Sequence, residues 1–383
     1  MTKIADIVPI LWYSVGMSKV KIDAKYDTAL ASSNGGRVVV KIGSRLVVGD
    51  RGIHRDFLLG LLDQVSQLIK GGFQPLIVLS GAVASGSVAG SQLSVQAQAA
   101  IGQMMLSTAV QLSAQTCHLS VAQLLVSRSD IMDRDRYGIL EKTLEDLTAH
   151  NIIPIINEND ALLALNAPNF VDNDQLATVM AIIAKAEHIV ILTSIGGVFA
   201  ENPDRNPDAA LIKIIPSISG EVIKQLAHGK NDFGRGGMAS KLRAARIATA
   251  VGITVHITGY LEHSLVDLLI KKKPSGTVCV AHGNIIRHLY ARDRWIISAH
   301  NSGAFIQVDE GAKAALIKRK SLLAVGITKH IGQFSKGDSV EVIDNQTNTI
   351  ALGLASISSD ELDRLVENPY NIEVIHANNM RLV

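Results

Sequence analysis

The sequence predicts an α/β fold, a mostly parallel sheet with helices on both faces, followed by a small, mostly β module. Two observations carry this. Between about residues 36 and 280, short strands that are apolar on both faces alternate with helical stretches of about 10 to 15 residues, the pattern of a parallel sheet covered on both sides. From Asp293 onward the pattern changes to short apolar runs separated by glycine turns.

Taken in order, Val38 to Ile42 reads as a short buried strand stopped by Gly43. Phe57, Leu58, Leu61, Leu62, Val65, Leu68 and Ile69 then recur at helical spacing up to Gly71-Gly72. A strand at Pro75 to Leu79 follows, then a helix around 95–115, a strand near 121–126, a helix near 137–149 and a strand at 152–156. Next come a helix at 174–186, a strand at 188–193, helices near 219–228 and 237–250, and a strand at 253–258. After Lys271-Lys272-Lys273-Pro274-Ser275-Gly276, a short strand at Thr277 to Val280 closes the pattern. The expected division is an extension over 1–35, disordered in this reading, a larger α/β domain over 36–280, a linker over 281–292 and the β module over 293–383. In the module, Trp295-Ile296-Ile297, Ala304 to Val308 and Ser339 to Ile343 read as strands.

Composition narrows the function. The 383 residues are 47% hydrophobic and 19% charged, and 37 basic against 35 acidic side chains leave a net charge of +2. Whole-molecule charge therefore gives no argument for nucleic acid or an anionic membrane as partner. Residues 293–383 hold 9 basic and 11 acidic side chains, a net −2, and residues 1–292 hold 28 and 24, a net +4. Cys117 and Cys279 stand far apart without a CxxC, which suits the cytoplasm and excludes a disulfide scaffold. No apolar run reaches the roughly 18 residues a membrane span needs. Ile7 to Gly16 behind Lys3, with Ala29-Leu30-Ala31 as a small-residue cleavage site, has the outline of a signal peptide. Lys19, Lys21, Asp23, Lys25 and Asp27 between them argue against it, and Met17 is a second candidate start.

The chemistry is expected in the turns after the strands. Lys41-Ile42-Gly43-Ser44 puts a lysine at a strand end beside a glycine turn whose amides suit phosphate; the bland alternative is a lysine that snorkels out. Ser80-Gly81-Ala82-Val83-Ala84-Ser85-Gly86 is small enough for backbone to approach a ligand, or is an ordinary tight turn. Asn157-Glu158-Asn159-Asp160 carries more amides and carboxylates than a turn requires and suits the head group of an α-amino acid. In Asp172-Asn173-Asp174, helix capping explains one residue of the three. Gly234-Arg235-Gly236-Gly237-Met238-Ala239-Ser240-Lys241 opens a helix with glycines to cradle phosphate and a lysine one turn in. It also matches G-x-G-x-x-A, but a helix rather than a strand precedes it and no acidic residue ends the next strand. Walker A and G-x-S-x-G motifs are absent, and Cys279, His282 and His288 lack a fourth metal partner, so no protein metal site is expected. Two lysines on phosphate-friendly turns, acids between them and an amide-rich pocket together suit phosphoryl transfer to a small acid.

In their order and spacing, VVVKIGS (38–44), LSGAVASG (79–86), AAIGQ (99–103), DRDRY (133–137), PIINENDA (154–161), DNDQLA (172–177) and GGMASK (236–241) resemble the glutamate 5-kinases of the amino acid kinase superfamily. The module, through Asp293-Arg294-Trp295, Val308 to Ala312 and Phe334 to Asp338, resembles a PUA domain. The resemblance implies that Lys41 and Lys241 stabilise the transferring phosphoryl group, with Asp174 orienting both. It implies that Ser80, Gly81, Ala82, Asp160, Asn173 and Asn157 bind L-glutamate. Thr193, Ser194 and the loop Arg235, Gly236, Gly237, Met238, Ala239, Ser240 and Lys241 would hold ATP, with Mg²⁺ bridging its phosphate oxygens. It further implies homo-oligomers and feedback inhibition by proline. Ser194, Val171 and Arg235 depart from the family's Asp, Gly and Thr, which predicts a shifted KM for ATP.

Two other readings stand beside this one. The acceptor is another amino acid, carbamate or a nucleoside monophosphate, although paired acids suit a phosphate-bearing acceptor poorly. Alternatively, the β module is an RNA-binding part beside a decayed kinase fold, against which stand its net −2 and the retained Lys41, Asp174 and Lys241.

Overall fold

The computed structural model describes residues 35–50, 52–88, 90–162, 170, 172–227, 237–260, 264–273, 275–281, 286–366 and 372–382. The expected extension over 1–35 lies outside these but for its last residue, as do Val171, Arg235 and Gly236.

The chain opens with β1 (Gly36–Ile42), a single-turn α1 (Ser44–Val47), the small hairpin β2 (Val48–Gly49) and β3 (Gly52–Ile53), α2 (Arg55–Lys70) and β4 (Phe73–Val78). Then follow α3 (Ala82–Ser87), α4 (Val95–Thr116), β5 (Ser120–Val126), α5 (Arg128–Met132), α6 (Arg134–Ala149) and β6 (Ile152–Glu158). The second half of this layer is α7 (Asn173–Ile183), β7 (His188–Thr193), β8 (Ile214–Ile215), α8 (Gly220–Leu226), α9 (Met238–Ala250), β9 (Thr254–Gly259), α10 (Ser264–Leu269) and β10 (Thr277–Cys279). The eight strands form one sheet in the order β5-β6-β4-β1-β7-β9-β10-β8. Strands β5 through β9 run parallel, and β10 pairs antiparallel to β9 and parallel to the short β8.

The pleat sorts side chains to two faces. Val38, Val40 and Ile42 of β1 pack under α2, α4 and α10, and Val39 packs on the opposite face under α6, α7 and α9. In α2, Leu58, Leu61, Leu62, Val65 and Leu68 form the buried stripe that their spacing predicts, each burial contributing about 1.5–3 kcal/mol. One pair of polar residues sits inside this core. His188 of β7 and His256 of β9 lie side by side on the α2–α4 face, with Nδ1 of the first 3.2 Å from Nε2 of the second.

The rest of the chain contributes α11 (Ala291–Ser298), β11 (His300–Val308), α12 (Glu310–Ile317), β12 (Leu322–Leu323), β13 (Ile327–Ile331), β14 (Ser339–Ile343), β15 (Thr349–Leu354), α13 (Ser359–Val366), β16 (Glu373–Ile375) and β17 (Met380–Leu382). Its main sheet has the order β13-β11-β14-β15-β17, and β12 pairs with β16. Two expectations need correcting here. Trp295-Ile296-Ile297 is helical, because Ile296 and Ile297 are buried while the Trp295 indole N–H donates to the Ile131 carbonyl at 3.0 Å. The stretch expected as a linker holds Ile286 fully buried in the catalytic core and already starts α11. Residues 282–285 of that stretch lie outside the described residues.

Acid should destabilise this core. Burial pushes His188 down to about 4 and His256 well below the usual 6.5, so from pH 6.5 downward the unfolded chain binds more protons than the folded one and stability falls. Over that range His188 alone is expected to cost roughly 3 kcal/mol. Melting curves between pH 7 and pH 4 should show this loss, and His188→Asn should flatten the slope.

Candidate active site

Strands β6, β4, β1 and β7 are neighbours, and their carboxyl ends share one edge of the sheet, where a parallel sheet of this kind binds ligands. Three of the sequence-predicted turns therefore meet there, those after Lys41, Leu79 and Glu158, and Thr193 ends the strand beside them.

The centre of the arrangement is Asp174. Its carboxylate is fully buried, with one oxygen 2.7 Å from Lys41 Nζ and the other 3.1 Å from Lys241 Nζ. Lys41 does not snorkel out: alternation places it on the same face of β1 as Val39, beneath α7, and it is 5% exposed. Lys241 lies in the first turn of α9 and is 7% exposed. Two cations around one anion leave this trio with a net positive charge in a buried corner, and an anionic group is the natural complement.

The Asp172-Asn173-Asp174 run divides three tasks. Asp172 caps α7, its Oδ1 accepting from the amides of Asp174 at 2.8 Å and Gln175 at 3.0 Å, and its other oxygen accepts from the Ser240 hydroxyl. Burial, with the Asp174 charge adding to it, pushes the Asp172 carboxyl above the usual range. Asn173 turns its amide toward β4 and β6, donating to the Leu79 carbonyl at 2.9 Å and the Ser80 hydroxyl at 2.5 Å, with Asn157 Oδ1 3.4 Å away. Asp174 takes the lysines.

Asn157 points to the α4 side and donates to Gln103 Oε1 at 2.8 Å. Gln103 and Glu158 line a cavity of about 300 Å³ together with Ala82 and Asp160, the latter at the start of a short 3-10 turn. Alanines, Met104 and Leu125 make up much of the remaining wall, and Lys41, Asp174, Lys241, Ser80, Asn157 and Asn173 all lie outside the lining; the cavity and the lysine corner are linked by the hydrogen bonds of Asn157 to Gln103 and of Asn173 to Ser80 and Asn157. Glu158 also accepts from the Phe170 amide at 3.0 Å.

The proposed nucleotide-binding residues are placed less uniformly. Thr193 ends β7, buried, its hydroxyl oxygen accepting from the Ile195 amide at 3.4 Å, and Ser194 is exposed beside it. Gly237 precedes α9 and Met238 begins it. Ala239 packs its methyl into the core, and the Ser240 hydroxyl is engaged by Asp172, so neither side chain is directed at a nucleotide.

The small residues at 80–86 serve two purposes. Gly81 has φ +109, a left-handed conformation that starts α3 directly after β4. Gly86 instead faces α4: a Cβ there would lie 1.8 Å from the Gln98 carbonyl oxygen, and one on Gly102 would lie 1.8 Å from the Ala82 carbonyl oxygen. This glycine contact presses α3 onto α4 and sets Gln103 beside Asn157.

Residues 36–259 match the amino acid kinase family. The chain belongs to that family. Residues 305–371 of this amino acid kinase match the PUA domain. Glutamate 5-kinase of Syntrophotalea carbinolica is 34% identical over 349 residues, covering 88% of this chain and 92% of its own. That of Dictyoglomus thermophilum is 33% identical over 368 residues, 91% and 97% of the two chains, and that of Shewanella woodyi 35% over 365 residues, 90% and 97%.

Within this amino acid kinase, three residues to which their motifs assign no individual task are brought to the site by the structure. Gln103 belongs to the AAIGQ run, but only the folded contact with Asn157 gives it a task. Asp172 and Glu158 stand inside the two acidic motifs, and their tasks, tying α7 to Ser240 and lining the cavity, depend on contacts distant in sequence. Gly102→Ala tests the helix contact: the added methyl has only backbone to displace, and urea unfolding should show a loss of about 1–3 kcal/mol or more.

Proposed function

We propose that this chain transfers the γ-phosphoryl group of ATP to the γ-carboxylate of L-glutamate, giving L-glutamyl 5-phosphate, the first step of proline biosynthesis. The single observation that carries the reading is the buried Lys41–Asp174–Lys241 arrangement, with a cavity that Gln103, Glu158, Asn159 and Asp160 help to line beside it. The 33–35% identity to glutamate 5-kinases over most of the chain supports the choice of acceptor.

In this reading Ser80, Asn157, Asn173 and Asp160 hold the amino acid, and the backbone around Gly81 and Ala82 approaches it. Thr193, Ser194 and the turn into α9 hold the nucleotide. The acceptor carboxylate is ionised at neutral pH, so attack on the γ-phosphorus needs no general base. Lys41 and Lys241 face the charge on the phosphoryl oxygens as it moves, and Asp174 holds both ammonium groups at a fixed separation. Electrons pass from the carboxylate oxygen to phosphorus while the bond to the β,γ-bridging oxygen breaks, leaving ADP.

The donor set fits magnesium arriving as a complex with ATP. Both Asp174 oxygens are taken by lysines and Asp172 is taken by amides and Ser240, so phosphate oxygens and water are the ligands left for it. Bound there, the ion supplies charge neutralisation on the phosphates.

Proline is proposed as a feedback inhibitor at or near the cavity, since it shares the ammonium and carboxylate that the acidic and amide groups would hold. The cytoplasm suits the two free thiols and the need for ATP. Among the described residues no helix is long and apolar enough to cross a membrane. Self-association is also proposed. The 22 residues of α4 carry no charged side chain, and Met104 (71% exposed) and Leu112 stand out from it, a surface that a second copy would cover.

Purified protein with ATP and Mg²⁺ should release ADP only when L-glutamate is present, with the acyl phosphate trapped as a hydroxamate, and added proline should slow it. Lys41→Ala should lower kcat by about 100- to 1,000-fold. Full activity in that variant, or ADP release that ignores glutamate, would sink the assignment. Leu112→Glu should shift the sedimentation of the protein toward monomer.

A further inference from the structure

Helix α9 is held from two sides. At its first turn Lys241 reaches Asp174 and Ser240 reaches Asp172; at its second turn the Thr178 hydroxyl of α7 meets the Ala244 carbonyl at 3.4 Å. On the side toward the β module, Arg246 Nη2 lies 2.5 Å from Glu341 Oε1. Glu341 belongs to β14, in the middle of the module's sheet, and is 1% exposed.

The placement of Glu341 is specific. Val340 and Val342 point into the module's own core, so alternation turns Glu341 to the other face, toward the catalytic domain. Leu352, paired with Glu341 across β14 and β15, belongs to the catalytic core, which makes this face of the module sheet one wall of that core. A carboxylate on such a wall is costly unless it is paired and hydrogen-bonded. Here it accepts from Arg246 and from the Thr349 hydroxyl.

The buried face of α9 mixes four alanines, Ala239, Ala244, Ala245 and Ala248, with two larger side chains, Leu242 and Ile247. The two larger side chains seat the helix in the core, while methyl groups interlock only weakly along a helix axis. The polar ties add fixed points at its front and rear, and the rear tie comes from the module.

We propose that Glu341 is a positioning residue: through Arg246 it fixes α9, and thereby holds the Lys241 ammonium at the transferring phosphoryl group. The β module is in this way part of the catalytic frame. The inference rests on the phosphoryl-transfer role proposed for Lys241. A displacement of about 1 Å at such a group is enough to cost on the order of 100-fold in rate.

The test uses the full chain. Glu341→Gln keeps the shape and removes the charge. Because it leaves Arg246 buried and unpaired, a second variant, Glu341→Leu with Arg246→Met, removes both charges. Either variant, shown to be folded by circular dichroism, should lose about tenfold or more in kcat while the acceptor KM changes less than about twofold; Arg246→Lys, which keeps the cation, should recover most of the rate. In a Lys241→Arg background the further loss from Glu341→Gln should be much smaller than in the wild type. Wild-type kcat in the folded double variant, a kcat loss matched by an equal rise in KM, or full multiplicative losses with Lys241→Arg would each overturn the proposal. The rates are compared with whichever amino-acid acceptor the wild type turns over. If that acceptor is not glutamate, the substrate assignment fails while the variant-to-wild-type ratio still judges Glu341; no turnover with any acceptor would overturn both.

Discussion

A buried carboxylate between two buried ammonium groups is the constraint on which the rest of this structure depends. Each lysine arrives from a different element, Lys41 from the central strand and Lys241 from α9, and Asp174 comes from a third, α7. None of the three charges is tolerable alone in that position, because removing one partner leaves a desolvated charge uncompensated. The three elements therefore have to meet in one geometry for the fold to close. The same requirement holds both ammonium groups together at the carboxyl ends of the strands, where the proposed transfer needs positive charge.

Other features serve that meeting. Asp172 caps α7 and at the same time reaches Ser240 of α9, so the helix that carries the central acid is tied to the helix that carries the second lysine. Asn173, between them, ties the same turn to the ends of β4 and β6. On the opposite face of the sheet, the glycine contact between α3 and α4 brings Gln103 against Asn157 and forms one wall of the cavity. The β module joins at the remaining side. Arg128 donates to the Ala299 carbonyl at 2.7 Å, Arg294 pairs with Glu141, and Glu341 pairs with Arg246, so the two parts share a polar, buried seam as well as a core.

Much of this was legible in the amino-acid order. The strands came out almost in place because buried parallel strands read as apolar runs, and the long helices because their apolar residues recur every three or four positions. Local pattern failed where tertiary contact decided. Trp295 to Ile297 is short and apolar, and a three-residue run is equally compatible with a strand or a helix; docking against the catalytic core settled it as α11. The short β8 and the α3 helix carry too few residues for a period to register. Within Ser80 to Gly86, a sequence of small residues could not tell backbone that approaches a ligand from backbone that approaches a neighbouring helix, and both occur, at Gly81 and Gly86.

By itself, then, the sequence determined the order of strands and helices, the change of architecture near residue 293, and the set of polar turns in which chemistry was to be sought, because these depend on periodicity and on residues adjacent in the chain. The motif resemblance grouped Asp174 with Lys41 and Lys241, but only the tertiary structure brought these groups into contact and paired Arg246 with Glu341. Asp174 lies 133 positions from Lys41 and 67 from Lys241, and Glu341 lies 95 from Arg246. No local pattern encodes such pairings; they exist because burial forbids any of these charges to stand alone.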